Sequence, residues 1–131
     1  MTTSPKDGAV FPLSDLRSRR ERAGGPYVEF LRIPAMSVGF YALPAGGVDT
    51  QTPHREDEVY YVIRGRGKVT IAGHDRTFEP GETIFVGKEV EHRFHSFQEP
   101  LELLVVFAPA ETPDPSEPTA APPQGRGPPG S

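Results

Sequence analysis

In the stretch Gly46–Gly65, GGVDTQTPHREDEVYYVIRG, a lone histidine, His54, stands four residues before a glutamate, Glu58. Imidazole nitrogen and carboxylate oxygen are donors that hold divalent cations, and the chain has no cysteine, which excludes thiolate metal sites and disulfides. On one straight strand two residues at this spacing lie about 13 Å apart, whereas two ligands of one ion must approach within a few ångströms. The chain must therefore turn back between them. Arg55-Glu56-Asp57 has nothing apolar to bury and suits a tight connection, which predicts a strand ending at His54 and another beginning at Glu58.

This stretch resembles the first motif of the cupin superfamily, G-x5-H-x-H-x3-E-x6-G. Gly46 takes the first glycine, Thr52 stands where the first histidine belongs, His54 is the second, Glu58 the carboxylate and Gly65 the last glycine. The second motif, G-x5-P-x-G-x2-H-x3-N, is similar to Gly81 through Ser96. Gly81 and His92 are in place there, with Gly87, Glu89 and Ser96 where proline, glycine and asparagine are usual. The resemblance covers roughly Tyr27 to Ala108 and is to a small, type-2-like, single-domain cupin. It implies a ligand set of His54, Glu58 and His92, and a double-stranded β-helix, or jelly roll.

Strand alternation separates the histidines further. His92, Phe94 and Ser96 share one face of a predicted strand, while His95 faces the other way; Thr52 and His54 share a face of another. His74 falls in a hairpin loop, where a solvated turn residue is expected. Two imidazoles and one carboxylate with open positions match the arrangement of non-haem Fe(II) oxygenases, and manganese, nickel, cobalt or zinc also suit these donors. Thr52 is expected to hydrogen-bond a metal-bound water, Gln51 to offer an amide oxygen if the strand twists, and Glu56, mid-turn, to be solvated. Tyr60, Val62 and Phe94 share parity with the ligands and are expected to wall the pocket; Phe40, Tyr41 and Phe107 are further aromatic candidates that alternation does not orient.

Elements that position these residues follow from the pattern around them. From Tyr27 onward, short runs of β-branched and aromatic residues alternate with glycine, proline and acidic turns, an all-β signature. Strands are predicted at Tyr27–Ile33, Met36–Leu43, Val48–His54, Glu58–Arg64, Lys68–Ala72, Asp75–Phe78, Thr83–Val86, Glu91–Phe97 and Leu101–Phe107, nine candidates for about eight strands. Gly73-His74 is the predicted two-residue hairpin loop, with further turns at Pro34-Ala35 and Pro80-Gly81. Ahead of the strands, Ser14 through Ala23 reads as one short helix capped by Ser14, anchored by Leu16, solvated along its arginines and stopped by Gly24-Gly25.

The 131 residues, 35% of them hydrophobic, suffice for one modest core. An N-terminal arm with the helix (1–25), a barrel domain (26–108) and a disordered tail (109–131) are expected, the tail holding eight of the chain's sixteen prolines and no apolar side chain larger than alanine. A net charge of −4 offers no broad basic field, so nucleic acid is not an expected partner. No apolar run reaches the roughly 18 residues that span a bilayer, so membrane insertion is not expected and a cytoplasmic location is. The function expected is metal-dependent chemistry, most plainly a dioxygenase, on a small organic acid, enol or aromatic substrate. The alternative is a non-catalytic ligand-binding or sensing module. The resemblance also implies a homodimer.

Overall fold

The computed structural model describes residues 5–112. One helix, α1 (Leu13–Ala23), precedes eight strands: β1 (Tyr27–Ile33), β2 (Met36–Leu43), β3 (Asp57–Arg64), β4 (Gly67–Ile71), β5 (His74–Phe78), β6 (Thr83–Val86), β7 (His92–His95) and β8 (Leu101–Ala108). All pairings are antiparallel, in a five-stranded sheet ordered β1-β2-β8-β3-β6 and a three-stranded sheet ordered β5-β4-β7. Together they make the jelly roll.

Alternation along the strands sorts the apolar residues onto two faces. Tyr60 and Val62 of β3, Phe94 of β7 and Leu101, Leu103, Val105 and Phe107 of β8 fill the space between the sheets. Each such side chain contributes about 1.5–3 kcal/mol by leaving water. Val28, Phe30, Val38 and Phe40 face outward and are roofed by Leu16 of α1. Tyr27 lies across Gly39, where an added Cβ would sit 2.0 Å from the tyrosine hydroxyl, so only glycine lets the ring reach the interior.

The helix ends at Gly24 in the left-handed region, as expected, but its N-cap falls two residues early, at Pro12 in place of Ser14, with no side-chain capping bond. Its arginines are less idle than expected. Arg17 donates two hydrogen bonds to Glu102 of β8, at 3.0 and 2.9 Å, and Arg20 donates to the Gly25 carbonyl. The β4–β5 hairpin turns at Ala72-Gly73, one residue before the expected loop, with both residues at positive φ.

Val48–His54 is not a strand. Pro53 has no amide hydrogen, and the carboxylate of Asp49 takes the Gln51 and Phe94 amides, at 3.3 and 2.8 Å, that a ladder would otherwise use. The segment runs beside β7 held by such single bonds, including Gly46 N–H to the Phe97 carbonyl and Glu89 N–H to the His54 carbonyl.

The expected tail boundary also moves. Ala110 and Glu111 are buried. Backbone groups anchor this strap: Ala110 N–H donates to the Pro34 carbonyl, Glu111 N–H to Ser37 Oγ at 2.8 Å, and Arg32 to the Glu111 carbonyl at 2.7 Å. Thr112 donates from its amide and its hydroxyl to Glu56, at 3.0 and 2.6 Å, so Glu56 is buried and partnered where a solvated turn residue was expected. Composition missed the strap because its anchors are polar. The rest of the expected tail, 113–131, lies outside the described residues. No helix among the described residues is long and apolar enough to cross a membrane.

Candidate metal centre

Three elements bring His54, Glu58 and His92 together. Glu58 faces inward at the start of β3, paired with Val86 of β6 and Phe107 of β8. His92 opens β7 opposite Ile71. His54 arrives on the irregular segment, and its imidazole packs edge-to-face with the Phe107 ring at 4.8 Å between centroids. All three are buried, and each offers one donor atom within 4.8 Å of the others. Among the described residues no second group of three histidine, cysteine or carboxylate side chains gathers in this way.

The hydrogen bonds around the donors set their chemistry. His92 Nδ1–H donates to the Val90 carbonyl at 2.9 Å, which turns Nε2 toward Glu58 Oε1 (3.1 Å), Gln51 Oε1 (3.0 Å) and the Tyr60 hydroxyl (2.9 Å). Burial opposes a charge on this ring, but the Glu58 carboxylate and the Val90 carbonyl favour it, and the net effect raises its pKa. Glu58 Oε2, 3.9 Å from His54 Nε2, is buried with no hydrogen-bond partner. A buried carboxylate oxygen left this way is costly unless something positive meets it. The donor set of two imidazoles and a carboxylate, with an amide oxygen beside them, fits a divalent cation.

Behind the donors a buried chain of polar groups fixes Gln51. Tyr41 donates to Asp49 at 2.9 Å, Gln51 Nε2 donates to the same carboxylate at 2.6 Å, and Tyr60 donates to Gln51 Oε1 at 2.8 Å. Burial first, then nearby carboxylates, push the Tyr41 and Tyr60 hydroxyls far above the ordinary tyrosine range. Both keep their protons.

The sequence expectations sort clearly against this geometry. Gln51 points inward, whereas Thr52 is exposed on the rim, because the irregular segment does not alternate as a strand does. Tyr60 reaches the centre through its hydroxyl. Val62 and Phe94 are wholly buried in the inner core, and neither they nor Tyr60 lines the cavity of about 360 Å³ beside the site, whose walls include Gln51, Thr52, Pro53, Thr70, His92 and Arg93. Phe107 and Tyr41 face inward and Phe40 outward. His74 is exposed, and His95 sits on the outer face, with Nε2 2.8 Å from Thr70 Oγ1. Asp49 and Glu111 were missed. An aspartate between Gly-Gly and a proline hints at a side chain that captures backbone amides, but nothing local marks Glu111.

The Cupin domain family model matches residues 39–107, from the middle of β2 to near the end of β8. The chain belongs to the cupin family. An uncharacterized Streptomyces coelicolor protein is 43% identical over 103 residues, covering 79% of this cupin and 98% of the relative. Among solved structures, a Bacillus halodurans protein superposes with a TM-score of 0.66 at 17% identity, over 86% of this chain and 88% of its own. An RmlC-like cupin from Shewanella frigidimarina gives 0.59 at 22% identity, over 66% and 79%. At these identities the structural likeness speaks to the fold. Gly65, the last glycine of the first motif, has its cupin role in plain view: φ is 108° and a Cβ would meet the Pro100 carbonyl at 3.0 Å.

Proposed function

We propose that this cupin holds one divalent metal ion through His54 Nε2, Glu58 and His92 Nε2 and works as a metal-dependent enzyme on a small organic acid, enol or aromatic substrate. Iron(II) is the favoured metal and a dioxygenase the favoured reaction. The observation that carries the reading is the convergence of three buried donors, one of them a carboxylate oxygen with no hydrogen bond, beside a cavity that His92 and Gln51 line. Bound by two imidazoles and one carboxylate, such an ion acts as a Lewis acid and keeps positions open for substrate and dioxygen together.

The chain's own groups do the rest. Gln51 Oε1, 3.0 Å from His92 Nε2, serves as a fourth donor, an amide oxygen. The Tyr60 hydroxyl, kept protonated, donates to Gln51 Oε1 and so orients that amide oxygen beside His92. Arg93 on the cavity wall supplies a positive charge for an acidic substrate. Phe107 shields one side of His54 from water.

Metal analysis of protein purified without chelator tests the reading. His54→Ala, Glu58→Ala and His92→Ala are each expected to deplete the metal, since two ligands hold a divalent ion much less well than three, while His74→Ala and His95→Ala keep it. Retention by all five variants places the site elsewhere. A folded protein that takes up no metal is the result that favours the non-catalytic binding module.

A further inference from the structure

We infer that Glu111, on the strap that follows the last strand, is the positioning residue of His54, and so completes the metal centre from outside the span that the family shares. The inference rests on the proposed metal reading. Glu111 Oε2 lies 3.4 Å from His54 Nδ1, with both side chains buried. A buried carboxylate at that ion-pair distance favours the tautomer with the proton on Nδ1, which leaves the lone pair of Nε2, the nitrogen on the Glu58 side, for a metal.

The arrangement parallels the other imidazole, whose Nδ1 meets the Val90 carbonyl at 2.9 Å while its Nε2 faces Glu58 at 3.1 Å. Each histidine thus has an oxygen beside Nδ1, a hydrogen-bonded carbonyl for His92 and a carboxylate at ion-pair distance for His54, and presents Nε2 to the same carboxylate. They differ in charge: a carboxylate makes its imidazole a stronger donor than a carbonyl does. Glu111 is delivered by its own backbone, through the bonds of its N–H to Ser37 Oγ and of Arg32 to its carbonyl. Those bonds survive a change of its side chain, so the carboxylate can be tested apart from the docking of the strap. Glu111 also lies beyond residue 107, where the family match ends.

The test is titration of the full chain with Co(II), read by its visible d–d absorption, for wild type, Glu111→Gln, Glu111→Ala and Glu56→Gln. Glu111→Ala is expected to weaken Co(II) binding about 10- to 100-fold, the usual cost of losing such an outer partner. Glu111→Gln, whose amide oxygen still accepts from Nδ1–H, should recover part of the loss and shift the absorption band. Glu56→Gln, which loosens Thr112 without touching His54, should bind as wild type does. In a His54→Ala background, Glu111→Ala should cost nothing further. Wild-type affinity in Glu111→Ala overturns the assignment, as does an equal loss in Glu56→Gln or an undiminished loss in the His54→Ala background. A wild-type chain that binds no Co(II) at all instead removes the metal reading, and the inference falls with it.

Discussion

Glu58 and His92 stand on strands, with ladder partners on neighbouring strands, whereas Gln51 and His54 stand on a segment with no ladder. In the first half of the centre each side chain inherits its direction from many repeated backbone bonds, and no single one decides the outcome. In the second half direction comes from a few side-chain bonds, most of which end on one carboxylate. Asp49 accepts from Tyr41, from Gln51 twice and from the Phe94 amide, all in the interior. A ladder spreads its strength over many residues; a side-chain network concentrates it, which makes the second half the place where a single substitution acts most.

Breaking that network is the largest effect expected. Asp49→Ala strands the Tyr41 hydroxyl, the Phe94 amide and the Gln51 amide in a buried space, and should lower stability by about 2–5 kcal/mol, read by urea unfolding. Asp49→Asn, which keeps part of the acceptor capacity, should cost less. A loss in Asp49→Ala no greater than that of an exposed-site substitution would mean that the segment is held by its backbone alone.

The next effect separates the two neighbours on the irregular segment. Gln51→His places an imidazole at the position that already faces His92, and should raise Co(II) affinity about tenfold, whereas Thr52→His on the exposed rim should leave it unchanged. The motif alignment alone points to the opposite outcome, so the pair decides between strand alternation and the observed path.

The smallest effect lies in the strand-borne half and appears in chelated, metal-free protein. The pKa of His92 is raised in the fold, with Glu58 favouring its charge against burial. The folded state therefore binds the proton more tightly than the unfolded chain does. The stability gained from the pair is fully present below the ordinary histidine pKa of about 6.5 and is lost as pH rises through the raised value. Urea unfolding across neutral pH should show this decline for wild type and a flatter profile for His92→Gln. A wild-type profile that rises instead would contradict the pairing.

Much of this division was legible in the sequence. Alternation of apolar residues is local, so all eight observed strands fell within a residue or two of predicted ones, and the inward parity of Glu58, Tyr60 and His92 followed from it. The pairing of His54, Glu58 and His92 was legible through the motif spacing, because those residues lie on the elements the spacing describes. Alternation failed at Val48–His54, where Asp49 replaces ladder bonds with side-chain ones; Gln51 and Thr52 consequently exchange faces.

What the sequence by itself determined, then, is whatever depends on neighbours along the chain: the strand periods, the turns, the helix stop at Gly24 and the donor types at His54, Glu58 and His92. Only the tertiary structure decided what depends on residues distant in sequence. Glu111 looked like part of a polar tail because its composition contains nothing to bury, yet Arg32, Ser37 and Glu56 hold the strap against the barrel and bring its carboxylate to His54. A hydrogen bond between residues so far apart leaves no periodic trace in the chain, and only folding brings its two ends within reach.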